Sequence, residues 1–239
     1  MTSIMLKILA CVTMLIDHVG YVVYGTTSWF NYIGRFAFTI FAFQISEGYI
    51  HTKNLKKYLL RLCIFALVSQ APYLLFTGTY AYISYDLDKM PLNIFFTLAL
   101  GLIAIIVYDK INIKPIIDCK LFKLKIIPLI LVAAIVYIGQ LARVDYGYYG
   151  VLIIFFFYLF RESKILTTIS FLILVLFRYI PYIISSPGNI NYIMFLIFTA
   201  LSIIPILLYN KRQGRKVKFA LYFFYPVHLF ILYLIITLI

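Results

Sequence analysis

The sequence predicts an all-α, polytopic membrane protein, and three observations carry that prediction. Of 239 residues, 64% are hydrophobic and 12% charged, about half of the roughly 25% charge of soluble domains. Apolar runs close to the ~20 residues needed to cross a bilayer recur along the whole chain. Basic residues are concentrated in alternate connections, as the positive-inside rule requires. Helix is the only secondary structure expected, because backbone groups in lipid are satisfied within their own segment.

Nine spans are expected, at about 4–24, 30–50, 58–77, 91–108, 126–142, 147–160, 165–184, 190–209 and 219–239. The first has no small-residue cleavage site and Lys7 as its only early charge, so it reads as a retained span rather than a signal peptide. The second carries Arg35 and Glu47, the third Gln70, and the fourth Asn93. Gln140, Arg143 and Asp145 cluster where the fifth span hands over to the sixth. That sixth run is short, roughly 20 Å of helix against a ~30 Å hydrocarbon core, and a re-entrant segment is the alternative. The seventh holds Arg178 and the ninth His228. Pro72, Pro128, Pro181, Pro205 and Pro226 lie in or near spans, where they are expected to kink helices around a cavity.

Charge orients the chain. The connections "HTKNLKKYLLR", "DKINIKPIIDCKLFKLK", "RESK" and "KRQGRKVK", with Lys7, hold 17 of the 21 basic residues. Only Arg35, Lys89, Arg143 and Arg178 fall on or near the other side. The N-terminus is therefore expected in the cytoplasm and the C-terminus outside. A sixth segment that failed to cross would turn "KRQGRKVK" outward, so nine spans are retained. The net charge of +13 thus has a topological explanation, and membrane lipid, not nucleic acid, is the expected partner. No connection has room for a soluble domain and no internal repeat is visible, so residues 1–239 read as one integral-membrane domain of the cell (plasma or inner) membrane. Cys11, Cys63 and Cys119 are scattered and suggest neither a disulfide framework nor a metal site.

Depth singles out the candidate residues. "TMLIDHVGYVVY" sets Asp17 and His18 side by side in the outer half of the first span. An Asp at a bilayer centre costs roughly 2.5–3.5 kcal/mol on insertion scales, so such residues are seldom idle. Arg35, Gln70, Asn93, Gln140, Arg143, Asp145 and Arg178 map to outer halves or outer ends, His228 to mid-depth, and Glu47 to the cytoplasmic end. Charges of both signs converging on one leaflet suggest a common water-accessible cavity. Adjacent helical residues point about 100° apart, so Asp17 is expected to face a cation on another helix, Arg35 or Arg178, rather than to orient His18. Lys7, Cys11, Met14 and His18 share one helical stripe, with Lys7 and His18 roughly 16 Å apart. A second stripe, Arg35, Thr39, Ala42 and Ser46, reads first as close helix packing and second as a passage lining. His228 alone reads as an interhelical hydrogen-bonder, Arg143 and Arg178 as snorkelling residues or site residues, and Lys7 as an anchor or a ligand group. The 22 Tyr and 22 Phe are expected mostly at the interface belt and lipid face.

The blocks "LKILACVTMLIDHVG", "NYIGRFAFTIFAFQISEGYIHTKNLKKYLLRL", "NIFFTLALGL", "DYGYYGVLIIFFFYLFR" and "YFFYPVHLFILYLI" resemble, in order and over nearly the whole chain, those of the TraX family. That family is named for the protein that N-acetylates F pilin, and it is similar to the acyltransferase-3 group of membrane acyltransferases. Members of that group carry a basic residue, ten residues, then His in the first helix, a spacing that Lys7 and His18 match. The resemblance implies an acetyl- or other acyltransferase with no permanently bound cofactor. Cytoplasmic acyl-CoA (acetyl-CoA) would be the co-substrate, and a peptide, glycan or lipid amine or hydroxyl at the outer face the acceptor. It implies His18 as the essential histidine, serving as base or acyl carrier with Asp17 beside it, and Lys7 as the basic partner. Arg35, Glu47 and His228 fall in matching blocks. Together with Asn93, Asp145 and Arg178 they are the candidate substrate or acyl-CoA contacts. The competing readings are a small-solute or lipid transporter using the same charges as a relay, and a non-catalytic scaffold.

Overall fold

A computed structural model describes residues 1–25, 27–81, 90–118, 122–214 and 220–238. Lys89, Cys119, Lys120, Arg215, Lys216 and Lys218, which the sequence reading used, lie outside the described residues. The helices are α1 (Ser3–Tyr24), α2 (Trp29–His51), α3 (Leu55–Ala81), α4 (Ile94–Lys110), α5 (Ile126–Leu141), α6 (Gly147–Leu159), α7 (Lys164–Ser185), α8 (Ile190–Leu201), α9 (Ile203–Leu207) and α10 (Ala220–Leu238). Every predicted apolar run is occupied by helix, the eighth by α8 and α9 with Ser202 between them. Among the described residues, four stretches are long and apolar enough to cross a membrane: Ser3–Tyr24, Leu55–Thr79, Lys164–Ser185 and Ile190–Leu207. Ile126–Leu141, Gly147–Leu159 and, over its described part, Tyr222–Leu238 are shorter apolar helices.

One expectation needs correcting. Helix is not the only secondary structure, because β1 (Ile117–Asp118) pairs antiparallel with β2 (Lys123–Leu124). The pair sits in the polar connection between α4 and α5, where water satisfies free backbone groups and the lipid constraint does not apply. Local sequence explains the helix ends. The Thr2 side chain accepts from the Met5 N–H to cap α1, and Gly25 closes it at φ 61°, a left-handed turn that glycine adopts without strain.

Two compact units are distinguished. The first comprises Met1–Phe41, Leu67–Met90 and Val175–Ile239, and the second Ala42–Ala66 and Pro91–Leu174. In the first, α1 packs along α10. The Met1 ammonium donates to the Leu208 carbonyl at 2.5 Å, and the Ser3 N–H donates to the Arg212 carbonyl at 2.8 Å. The start of α1 is thereby tied to the connection that leads into α10. The charge pattern assigned both segments to one side.

The second unit is built on α4, α5 and α6. At the start of α4, the Leu92 N–H donates to Arg143 O at 3.1 Å and the Asp145 N–H to Leu92 O at 2.8 Å. At its end, the Tyr158 hydroxyl reaches Asp109. The 13-residue α6 therefore runs alongside α4 from one end to the other, with Val151 and Ile154 fully buried. Its shortness suits a helix packed among others, since only lipid-facing surface has to match the hydrocarbon thickness.

The aromatic residues depart from expectation too. Phe76, Phe155, Phe157, Phe171 and Tyr149 are among the most buried side chains, while Tyr24, Trp29, Tyr137 and Phe177 stay exposed. Phe157 stacks on Phe171 at 5.7 Å, and Tyr108 meets Phe155 edge-on at 5.0 Å. Rings fill interhelical volume with large contact area and preferred edge or offset geometry, so much of this aromatic content serves as core.

Candidate functional site

The Asp17–His18 step turns two neighbouring side chains toward two different helices. Asp17 faces α2, where Arg35 Nη2 donates to its Oδ1 and Oδ2 at 3.2 and 3.3 Å. The pair is largely shielded, with side-chain exposures of 16% and 13%. Of the two cations considered, Arg35 is the partner. Asn31, one turn before Arg35, completes the arrangement. Its Nδ2 donates to the Asp17 carboxylate and to the Asp17 carbonyl, both at 3.0 Å. Its Oδ1 accepts from the Ser28 N–H at 2.8 Å. Arg35 Nε donates to the Asn31 carbonyl at 3.0 Å, and the guanidinium lies 5.0 Å from the centre of the Phe195 ring. Gly34 makes the close approach feasible, since a Cβ there would lie 2.4 Å from the Asp17 side chain. The carboxylate is thus neutralised and hydrogen-bonded from one helix, as a largely shielded charge requires.

His18 faces α10. Its Nδ1 lies 2.8 Å from His228 Nε2, and the two rings are within 15° of coplanar. His228 Nδ1 in turn lies 2.7 Å from the Phe224 carbonyl oxygen. Phe76 meets His18 edge-on at 5.3 Å, and Phe224 stacks on His228 at 4.7 Å. Among the described residues, the bond to His228 is the only hydrogen bond that the His18 ring makes. Two imidazoles are therefore joined edge to edge inside an aromatic sleeve, beside a neutralised ion pair.

Asp17, His18, Arg35 and His228 are thus brought together from α1, α2 and α10. Lys7 is half-buried on the His18 stripe, with Cys11 and Met14 between them buried. Arg178 lies on α7, half-buried, in the same unit. The small-residue stripe is packing: Thr39, Ala42 and Ser46 are at most 1% exposed, and Ser202 Oγ donates to Thr39 Oγ1 at 2.8 Å.

The sequence profile described as "TraX protein" matches residues 3–236. The chain belongs to the TraX family. A curated relative from Dichelobacter nodosus, "Probable fimbrial assembly protein FimC, serogroup H1", is 26% identical over 249 aligned residues, which cover 97% of this chain and 94% of that protein. No solved structure matches.

The remaining candidates of this TraX protein lie in the second unit, where each has local work. Asn93 caps α4 by accepting from the Phe95 N–H at 3.0 Å and donates to the Ala66 carbonyl at 2.7 Å. The Asp145 carbonyl accepts from the Thr97 hydroxyl at the α5–α6 turn. Glu47 pairs with His51 one turn on, at 3.4 Å. Sequence reasoning missed Asn31, although its position four residues before Arg35 places both on one helical face. It also missed a cluster in the second unit, where Asp109 accepts from Tyr49 at 2.5 Å and from Tyr158 at 2.6 Å. Burial alone would raise the Asp109 carboxyl. The two phenols and the Lys125 and Lys110 cations outweigh it and hold the group below the usual carboxylate range. The cluster ties together the ends of α2, α4 and α6. No depth signal marked it, because Asp109 borders a polar connection.

Proposed function

We propose that this TraX protein is an integral-membrane acyltransferase that moves an acetyl or other acyl group from cytoplasmic acyl-CoA to an amine or hydroxyl at the outer face. The observation that carries this reading is His18 itself, an imidazole held by one hydrogen bond in an apolar sleeve beside a paired Asp17–Arg35. Such a group can take a proton from the acceptor as the acceptor attacks the thioester carbonyl carbon. The C–S bond then breaks, and the departing CoA thiolate recovers the proton from His18. Alternatively the imidazole attacks first, carries the acyl group on nitrogen, and passes it to the acceptor. The Asp17–Arg35 pair carries no net charge, so a positive imidazole forms beside it without facing a lone guanidinium.

Lys7 lies roughly 16 Å along α1 from His18, comparable to a pantetheine arm, and would meet the phosphates of CoA. The relative's name, a probable fimbrial assembly protein, is consistent with an acceptor on the cell surface. Membranes containing the protein, given radiolabelled acetyl-CoA, are expected to incorporate label covalently into a peptide, glycan or lipid fraction. No incorporation above membranes lacking the protein overturns the reading. Lys7→Ala is expected to raise KM for acetyl-CoA several-fold with little change in kcat, the pattern of lost ground-state binding.

The reading requires nine crossings with the N-terminus cytoplasmic, so a reporter fused after the last span should be extracytoplasmic. A cytoplasmic signal there overturns this topology and the depths built on it.

A further inference from the structure

We propose that His228 is a positioning residue for His18: it fixes the His18 ring as the Nδ1–H tautomer and leaves Nε2 as the lone-pair edge. The inference rests on the acyltransferase reading only for what that lone pair is used for.

The hydrogen bonds decide the tautomers in sequence. A carbonyl oxygen only accepts, so His228 Nδ1, 2.7 Å from Phe224 O, carries a hydrogen. A neutral imidazole has a single N–H, so His228 Nε2 bears a lone pair. The atom 2.8 Å away, His18 Nδ1, must then be the donor. His18 Nε2 is left bare. Reversing His18 alone would set two lone pairs against each other at hydrogen-bond distance. Protonating His228 would reverse the bond but place a cation in a shielded site against Phe224 and Tyr225, where charge is costly. Because the relay ends on a backbone carbonyl of α10, the ring is keyed to a rigid element rather than to a mobile side chain. When Nε2 gains a proton or an acyl group, the ring becomes cationic and its Nδ1–H bond to His228 becomes charge-assisted.

The test reads tautomer and turnover separately. With ring-¹⁵N histidine in nanodisc-embedded protein, His18 is expected to show a protonated Nδ1 and a bare Nε2. The third histidine, His51, is removed as His51→Gln to simplify assignment. In His228→Leu that signature should be lost. The same variant should reduce kcat about ten- to a hundredfold, the usual effect of losing an orienting partner, while KM for acetyl-CoA stays within about twofold. His228→Gln should restore much of kcat, since its Oε1 accepts near the place of Nε2. His228→Asn, whose shorter amide does not reach His18, should not. A wild-type His18 protonated on Nε2, or a His18 signature unchanged in His228→Leu, overturns the inference. The expected tautomer in a protein that transfers no acyl group supports the dyad and overturns the acyltransferase reading instead.

Discussion

His18→Ala is expected to abolish acyl transfer while leaving a protein that inserts and folds. The substitution removes one hydrogen bond, to His228, and one edge contact, with Phe76. Losses of that kind cost about 1–3 kcal/mol when the remaining partner stays buried. Taking an imidazole out of the membrane offsets part of that. The chemical loss is far larger. General acid–base help alone contributes about 10²–10⁴ in rate, and an acyl-carrier role would make the loss complete. Transfer of label from acetyl-CoA, measured beside thermal unfolding in detergent, separates the two effects. A well-folded His18→Ala variant that transfers at near-wild-type rate removes His18 from the chemistry.

Asp17→Ala should have the opposite profile, with stability failing first. It takes from Arg35 its carboxylate partner and from Asn31 one of its two acceptors, leaving the backbone carbonyl. A shielded guanidinium without its counter-charge costs about 3–5 kcal/mol, enough to lower yield and midpoint temperature together. Asp17→Ala combined with Arg35→Leu should regain a substantial part, because the pair is then replaced by apolar volume rather than broken. Unfolding midpoints of the two single variants and the double variant form the relevant cycle. Additive losses would mean that the 3.2 Å contact carries no coupling energy.

What the sequence disclosed was position along helices. Hydropathy located the helical runs, because lipid leaves the backbone no other arrangement there. The expected depth of Asp17 called for a cation on another helix, Arg35 or Arg178, and Arg35 proved to be it. Rotation about each helix axis was less legible. Nothing in one chain says that a residue of α10 meets the polar edge of the His18 ring while Phe76 of α3 packs against it, so the bond to His228 was invisible although both histidines were singled out. Residues grouped by depth alone also proved to have separate local duties, as with Asn93 capping α4 and Glu47 pairing with His51. Asn31 escaped notice because it lies at the very start of the second apolar run, where a polar residue is ordinary. Its role emerges only once Gly34 lets α2 close on Asp17.

The bond between His18 and His228 joins residues 210 positions apart. A ribosome delivers these helices in order, at about 5–20 residues per second, so α1 waits some ten to forty seconds for α10. Through that interval the imidazole of α1 has no His228 to hold it. Half-made chains therefore lack the partner that holds the His18 ring, and the histidine pair forms in a single late step. Loss of α10 by truncation or proteolysis would return His18 to that unpaired state, however well the other helices are packed.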